Sequence, residues 1–248
     1  MDPYDIRLPW TQFTKLYLAC NLSIQECTSI LDQCLLIESC SFPLVRLPSN
    51  TQSPPPIPTF VRNLHHLHLG SLWDMSTFFD SFVFPALIDL HVDNTANKHE
   101  QVQHNFIDDW PQANFISLLH RSSCPITHLT LEVDMTETSL IECPQLISSS
   151  IEYLSVRGYY GVFLVADRLI SLLIHRQIGP EEISCFCPKL CSMHFFNCLS
   201  PFELTEGAFA DMVESRLSPS LGALCHRQAC SPQCQSNSST YYQVMQND

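Results

Sequence analysis

Glycine is scarce in this 248-residue chain, which contains only six. The turns GxGxxG, GxxxxGK[ST] and GxSxG are all absent, so neither a backbone phosphate cradle nor a nucleophile elbow is supported. Basic residues are also few: 12 Lys and Arg stand against 25 Asp and Glu, a formal charge of -13. That balance opposes phosphate backbones and anionic lipid, so neither nucleic acid nor acidic membrane is an expected partner. Long apolar runs are missing as well. The longest, Val162 to Ile174, is interrupted by Asp167 and Arg168 and is shorter than the ~20 residues of a spanning helix. Met1 to Trp10 carries Asp2 and Asp5 where a secretory leader would carry positive charge and then apolar residues. A soluble intracellular protein, cytoplasmic or nuclear, is expected.

Apolar residues make up 45% of the sequence, enough for a sizeable core in one or two domains. Cysteine is abundant at 13, an odd number in a chain for which no export is expected, and several cysteines occupy apolar positions. Reduced thiols serving as small buried hydrophobes are therefore expected in place of disulfides. The sequons Asn21-Leu22-Ser23 and Asn237-Ser238-Ser239 carry little weight in that setting.

The dominant feature is a pattern, apolar-x-x-apolar-x-apolar, that recurs seven times, starting at Phe13, Ile37, Leu64, Leu87, Ile126, Ile151 and Leu190. Successive starts are 24, 27, 23, 39, 25 and 39 residues apart, so four intervals fall in the range of leucine-rich repeats and two carry insertions. No single run makes a core, but stacking them merges their apolar faces. Helical spacing fills the intervals at Ser23 to Gln33, Asp74 to Phe82, Gln112 to Arg121, Thr136 to Cys143, Phe163 to His175 and Thr205 to Leu217. Ser23 and Glu26 form a capping-box signature, and Gly179-Pro180-Glu181-Glu182 reads as another helix start. A strand followed by a returning helix makes the next strand parallel. The expectation is an α/β leucine-rich-repeat solenoid, a horseshoe with a curved parallel sheet of about seven short strands and helices or irregular segments on its convex side.

Six prolines between Pro43 and Asn63 exclude a regular helix there, and an extended arc is expected. The His91–Pro125 insertion reads as a polar loop and then a helix. The repeats are expected to span residues 8–217, with Phe209, Met212, Val213 and Leu217 on the apolar stripe of a closing helix. Residues 218–248 lack periodicity and are rich in Ser, Gln and Asn, which predicts a disordered tail.

Strand alternation sends the fourth and sixth pattern positions inward and the third and fifth outward. The outward third positions are Lys15, Ser39, His66, Asp89, His128, Tyr153 and Ser192; the fifth are Tyr17, Ser41, His68, His91, Thr130, Ser155 and His194. His66, Asp89 and His128 are expected as lateral neighbours, as are His68 and His91. Solvated polar positions are the plain explanation of this face. A partner-binding face whose charge changes between about pH 5.5 and 7.5 is the sharper one. Aromatic and Arg side chains dominate interface energies, which favours Tyr17, Tyr153, Arg157 and Trp73 as anchors. The candidate partner-binding set is Tyr17, His66, His68, Asp89, His91, His128, Tyr153, Arg157 and His194.

Metal chemistry finds little support. In His99-Glu100-Gln101-Val102-Gln103-His104 the histidines are five apart, on different sides of a helix, unlike the HExxH zinc motif. Cys185, Cys187, Cys191 and His194 interleave with inward repeat positions, and Cys225, His226, Cys230 and Cys234 have no surrounding fold to hold a metal. Asp108-Asp109 suits a helix cap better than a cation site. Neither a metal nor any other cofactor is expected, and no catalytic residues are assigned.

Three segments carry a resemblance: Leu8-Pro9-Trp10-Thr11-Gln12-Phe13-Thr14-Lys15-Leu16-Tyr17-Leu18, Leu64-His65-His66-Leu67-His68-Leu69 and Cys187-Pro188-Lys189-Leu190-Cys191-Ser192-Met193. Over roughly residues 8–217 the chain resembles the leucine-rich-repeat region of fungal F-box-like proteins. In that family an F-box docks onto a Skp-type adaptor of a cullin ubiquitin ligase and the repeats present substrate. The repeats are expected to begin within fifteen residues of Met1 with no F-box ahead of them, so binding to the cullin-type adaptor is not expected. The resemblance implies a non-enzymatic recognition scaffold that binds a protein partner on its concave face. Two alternatives stand beside it: an α/β enzyme with a doubly wound parallel sheet, and a truncated repeat fragment with no independent function. In regular repeats a turn residue such as Asn or Cys bonds the backbone; here Asn21, Thr95, Asp134 and Cys198 could serve, while Val45, Leu72 and Tyr159 could not.

Overall fold

The computed structural model describes residues 9–18, 20, 22–46, 57–71, 75–93, 110–133, 135–158, 165–174, 176–177, 183–184, 186–199, 205–217 and 242–245. Short strands alternate with helices in an α/β architecture. Where one repeat domain over 8–217 was expected, the chain divides into two compact units, Met1–Ile126 with Thr130–Asp134, and Thr127–Leu129 with Met135–Asp248. All seven patterns form strands, each beginning two residues after the first apolar residue of its pattern.

The first unit holds β1 (Lys15–Tyr17), β2 (Leu22–Ser23), α1 (Ile24–Gln33), β3 (Ser39–Arg46), β4 (Thr59–Phe60), β5 (His66–Ser71), α2 (Ser76–Ser81), β6 (Phe82–Val83), β7 (Asp89–Asp93), α3 (Gln112–Ser122) and the last three residues of β8 (His128–Glu132). Its strand order is β1-β3-β5-β7-β8. β3 pairs in parallel with β1 and β5, and β5 with β7. The register aligns Leu16, Cys40, Leu67 and Leu90 in one row and Phe42, Leu69 and Val92 in the next. All but the half-exposed Leu16 are buried. Beneath them Phe78, Phe79, Phe82, Phe84 and Phe115 are fully buried, with ring centroids 4.7 Å apart for Phe78 and Phe82 and 5.2 Å for Phe79 and Phe115.

Local chemistry explains the element ends. Ser23 caps α1 in a reciprocal box: its Oγ accepts from the Glu26 N–H at 3.3 Å, and the Glu26 carboxylate accepts from the Ser23 N–H at 2.6 Å. α2 is shorter than the helical spacing implied, because Phe82 leaves the helix to pair with Thr59 in a parallel β4–β6 pair. The β3–β5 register shifts after Phe42, where Pro43 has no N–H to donate.

The second unit holds the start of β8, α4 (Glu137–Leu146), β9 (Tyr153–Arg157), α5 (Asp167–Leu173), β10 (Arg176–Gln177), β11 (Ile183–Ser184), β12 (Ser192–Phe196), α6 (Ala208–Leu217) and β13 (Tyr242–Met245). Its order is β8-β9-β12-β13, with β12 parallel to both β9 and β13, while β10 and β11 form a separate antiparallel pair. Leu154 aligns with Met193 and Val156 with Phe195, all buried. α5 begins only at Asp167, because Val165 forms a bridge to Leu199. α6 buries Met212 as expected, but Leu217 is exposed and Arg216 is buried in its place. The Arg216 guanidinium donates to the carbonyls of Leu173, Phe186, Cys187 and Leu190 at 2.8 to 3.4 Å. Of the expected tail, Tyr242–Met245 is a strand; the rest lies outside the described residues, as do the Gly179 to Glu182 helix start and residues 47–56 of the Pro43 to Asn63 arc.

A backbone device repeats at the foot of the rungs. The carbonyl of the second pattern residue accepts two N–H groups from the next rung. Thr14 accepts from Glu38 and Ser39, Glu38 from His65 and His66, His65 from Ile88 and Asp89, Thr127 from Glu152 and Tyr153, and Glu152 from Cys191 and Ser192, all at 2.8 to 3.1 Å. Adjacent helical segments are linked side by side as well. Asp80 accepts from Asn114, Glu137 from the N–H groups of Ala166 and Leu169, and Asp167 from Thr205.

All nine described cysteines are free thiols, seven of them buried and Cys20 and Cys191 exposed. Burial raises the Cys124 thiol to about 11 and Cys27 and Cys198 to about 12, and pushes Cys34 and Cys40 upward too. Cys198 fills a turn position, its Sγ 3.5 Å from the Val156 carbonyl; Asn21, Leu72, Thr95, Asp134 and Tyr159 lie outside the described residues.

Candidate functional site

The pleat determines what the outward positions can do. With the fourth and sixth residues of every rung after the first held in the core, the third, fifth and seventh belong to the opposite face. The resulting side chains form one cluster in each unit.

In the first unit His66 and Asp89 are register partners, with Nδ1 and Oδ2 3.4 Å apart. Their side chains are 58% and 43% exposed, so the pair contributes little stability. One row further, His68 and His91 are register partners with stacked rings, centroids 4.3 Å apart and planes at 22°. Ser41 Oγ lies 3.0 Å from His68 Nδ1, and Glu132 Oε1 lies 3.6 Å from His91 Nε2. The imidazole pair is thus bracketed by a hydroxyl and a carboxylate. Tyr17 is 68% exposed on β1, in register with Ser41.

In the second unit the outward groups are ring systems. Tyr153 stacks beside His128 with centroids 5.6 Å apart and planes at 24°, and lies 5.2 Å from His194. His194 stacks near Phe196 at 6.0 Å, and the Arg157 guanidinium carbon sits 5.2 Å from the Phe196 ring centroid, within cation–π range. Thr127 Oγ1 is 2.8 Å from His128 Nδ1, and Ser192 Oγ is 3.2 Å from His194 Nε2. Ser155, an expected outward position, is 7% exposed, beside His194 in register and between Tyr153 and Arg157 on its own strand. The row offers flat π-faces, imidazole nitrogens and one guanidinium, which suits adhesion and hydrogen bonding.

The nine candidate residues therefore fall into two sets: Tyr17, His66, His68, Asp89 and His91 in the first unit, and His128, Tyr153, Arg157 and His194 in the second. Ser41, Glu132, Ser192 and Phe196 contact them and were missed as site residues. Glu132 and Phe196, like Arg157, occupy the seventh position of their patterns, so carrying the alternation two residues further would have found them. Trp73, the His99 to His104 stretch, Asp108-Asp109, Cys185 and the tail cysteines lie outside the described residues. Among the described residues no three His, Cys, Asp or Glu side chains are placed to hold a metal ion, and no helix is long and apolar enough to cross a membrane. No protein-family model, curated protein or solved structure matches the chain.

Proposed function

We propose that this chain is a non-enzymatic protein-recognition scaffold of the leucine-rich-repeat horseshoe kind, binding a protein partner through the outward side chains of its strands. The observation that carries the reading is the ring row of exposed His128 and half-exposed Tyr153, His194 and Phe196, with Arg157 set against it. Tyr and Arg are the residue types that anchor protein interfaces, and rings already packed against one another lose little entropy on binding. One-sided burial favours a scaffold over a doubly wound enzyme, whose sheet is covered on both faces.

The resemblance to F-box-like repeats makes ubiquitin-ligase substrate recognition the more specific form of this proposal. Affinity purification of the full chain beside its Tyr153→Ala/Arg157→Ala variant tests both levels. A partner enriched by the parent and lost by the variant supports recognition through the ring row. Co-recovery of a cullin with its adaptor supports the ligase form, and capture that is identical for both chains refutes the assigned face.

A further inference from the structure

The outer edge of β12 has a definite backbone requirement. In a parallel ladder the N–H and C=O of one residue turn to the same neighbour, and successive residues alternate between neighbours. Ser192 donates to the Glu152 carbonyl, and the Phe196 carbonyl accepts from Gly158, so Ser192, His194 and Phe196 are committed to the β9 side. Met193 and Phe195, both 1% exposed, must turn their backbone groups the other way. Left unpaired, such groups cost free energy and make the edge a template for any extended chain.

That edge is occupied by Tyr242–Met245, in parallel register with Met193–Phe196. A residue of this kind bonds to the two residues flanking its register partner. Gln243, between the partners of Met193 and Phe195, is therefore the residue that serves both. Thr240 to Met245 is also the stretch after Ser218 in which β-favouring Thr, Tyr and Val gather without proline or charge.

We propose that the outer edge of β12 is a strand-docking surface whose occupant is the chain's own C-terminal segment, Tyr242–Met245, acting as the cap of the parallel ladder. Docking closes an edge that would otherwise pair with other chains. It also adds Gln243 beside His194 and Met245 beside Phe196 in register, extending the strand rows that carry the ring cluster. The inference rests on backbone geometry and stands whether or not the ring row binds a protein.

The test is amide hydrogen exchange on the full chain and on its Gln243→Pro variant, which removes the N–H of the central docking residue. The Met193 and Phe195 amides should exchange about tenfold faster or more in the variant, while those of Ser192 and His194 keep their rates. A synthetic peptide of residues 238–248 should restore slow exchange at Met193 and Phe195. If all four amides accelerate, the peptide decides: recovery supports docking, and no recovery overturns it. Equal rates in both chains overturn the proposal. Protection in the parent that vanishes on dilution, together with a dimer, overturns it too and assigns the strand to a second copy.

Discussion

Tyr153 sits between two imidazoles on the outward side of β9, with its ring half-exposed. Removing it deletes contact area for a partner while leaving the Leu154 and Val156 core intact. Tyr153→Ala should therefore weaken partner binding by about 2 kcal/mol, roughly thirtyfold, while shifting the unfolding free energy by less than about 1 kcal/mol. Titration calorimetry and urea denaturation on the same protein separate the two effects. The cysteines give a second residue-scale prediction. Thiolate is the reactive form, so a thiol that is enclosed and raised to about 11 or 12 resists alkylation twice over. At pH 8 iodoacetamide should modify Cys20 and Cys191 first among the nine described thiols, with Cys27, Cys124 and Cys198 labelled only after unfolding; peptide mass spectrometry reads the order. At this scale the inward positions were legible in the sequence because a two-residue period leaves only one face to bury, and the buried thiols because unpaired cysteine behaves as a small hydrophobe. Arg216 was not. Nothing local marks a basic residue on an apolar stripe as a clamp for carbonyls from Phe186 to Leu190 and at Leu173.

The helices show where element-scale reading succeeds and fails. Ser23 and Thr136 cap α1 and α4 from within their own sequences, and those starts were legible. α5 has no side-chain cap of its own; Glu137, from the helix before it, accepts from Ala166 and Leu169 at 3.0 Å each. Such a cap is invisible in sequence because its donor and acceptor lie about thirty residues apart. Glu137→Ala should lower stability by about 1–2 kcal/mol, and Glu137→Gln, which keeps an acceptor oxygen, by clearly less; denaturation midpoints compare them. Asp167 gives the pH dependence. The Thr205 hydroxyl, and then the Thr205 N–H, hold its carboxyl below the usual carboxylate range. A folded value below the unfolded one means that the stabilisation is fully present above the unfolded value, near pH 4. It is lost as pH falls through the lower, folded value. The thermal midpoints of the parent and Asp167→Asn chains should therefore differ at pH 6 and converge towards pH 2; a gap that persists unchanged in acid would dissociate Asp167 from this behaviour.

At the scale of the molecule the rungs were readable and the grouping was not. Each rung announces itself through its own hexad, whereas the division into two units falls inside β8 and depends on how distant segments pack. The β13 strand escaped for the same reason: Tyr242–Met245 is short, and its partner lies about fifty residues earlier. Net charge, by contrast, is a whole-molecule property that the composition states outright. At -13, with Asp89 and Glu132 among the outward groups of the first unit, the chain attracts positively charged surfaces at long range. The proposed partner is therefore expected to present positive charge, so that its encounter with this chain would be steered. Raising NaCl from about 50 to 500 mM shortens the Debye length from roughly 14 to 4 Å. The association rate constant should fall about tenfold or more over that range. Tyr153→Ala should act instead on the dissociation rate, since short-range packing is lost only after the surfaces have met. Stopped-flow or surface-plasmon kinetics, with salt and the variant crossed, would show two separable effects. Association indifferent to salt would mean that the acidic field takes no part in recruitment and that the ring row captures its partner by contact alone.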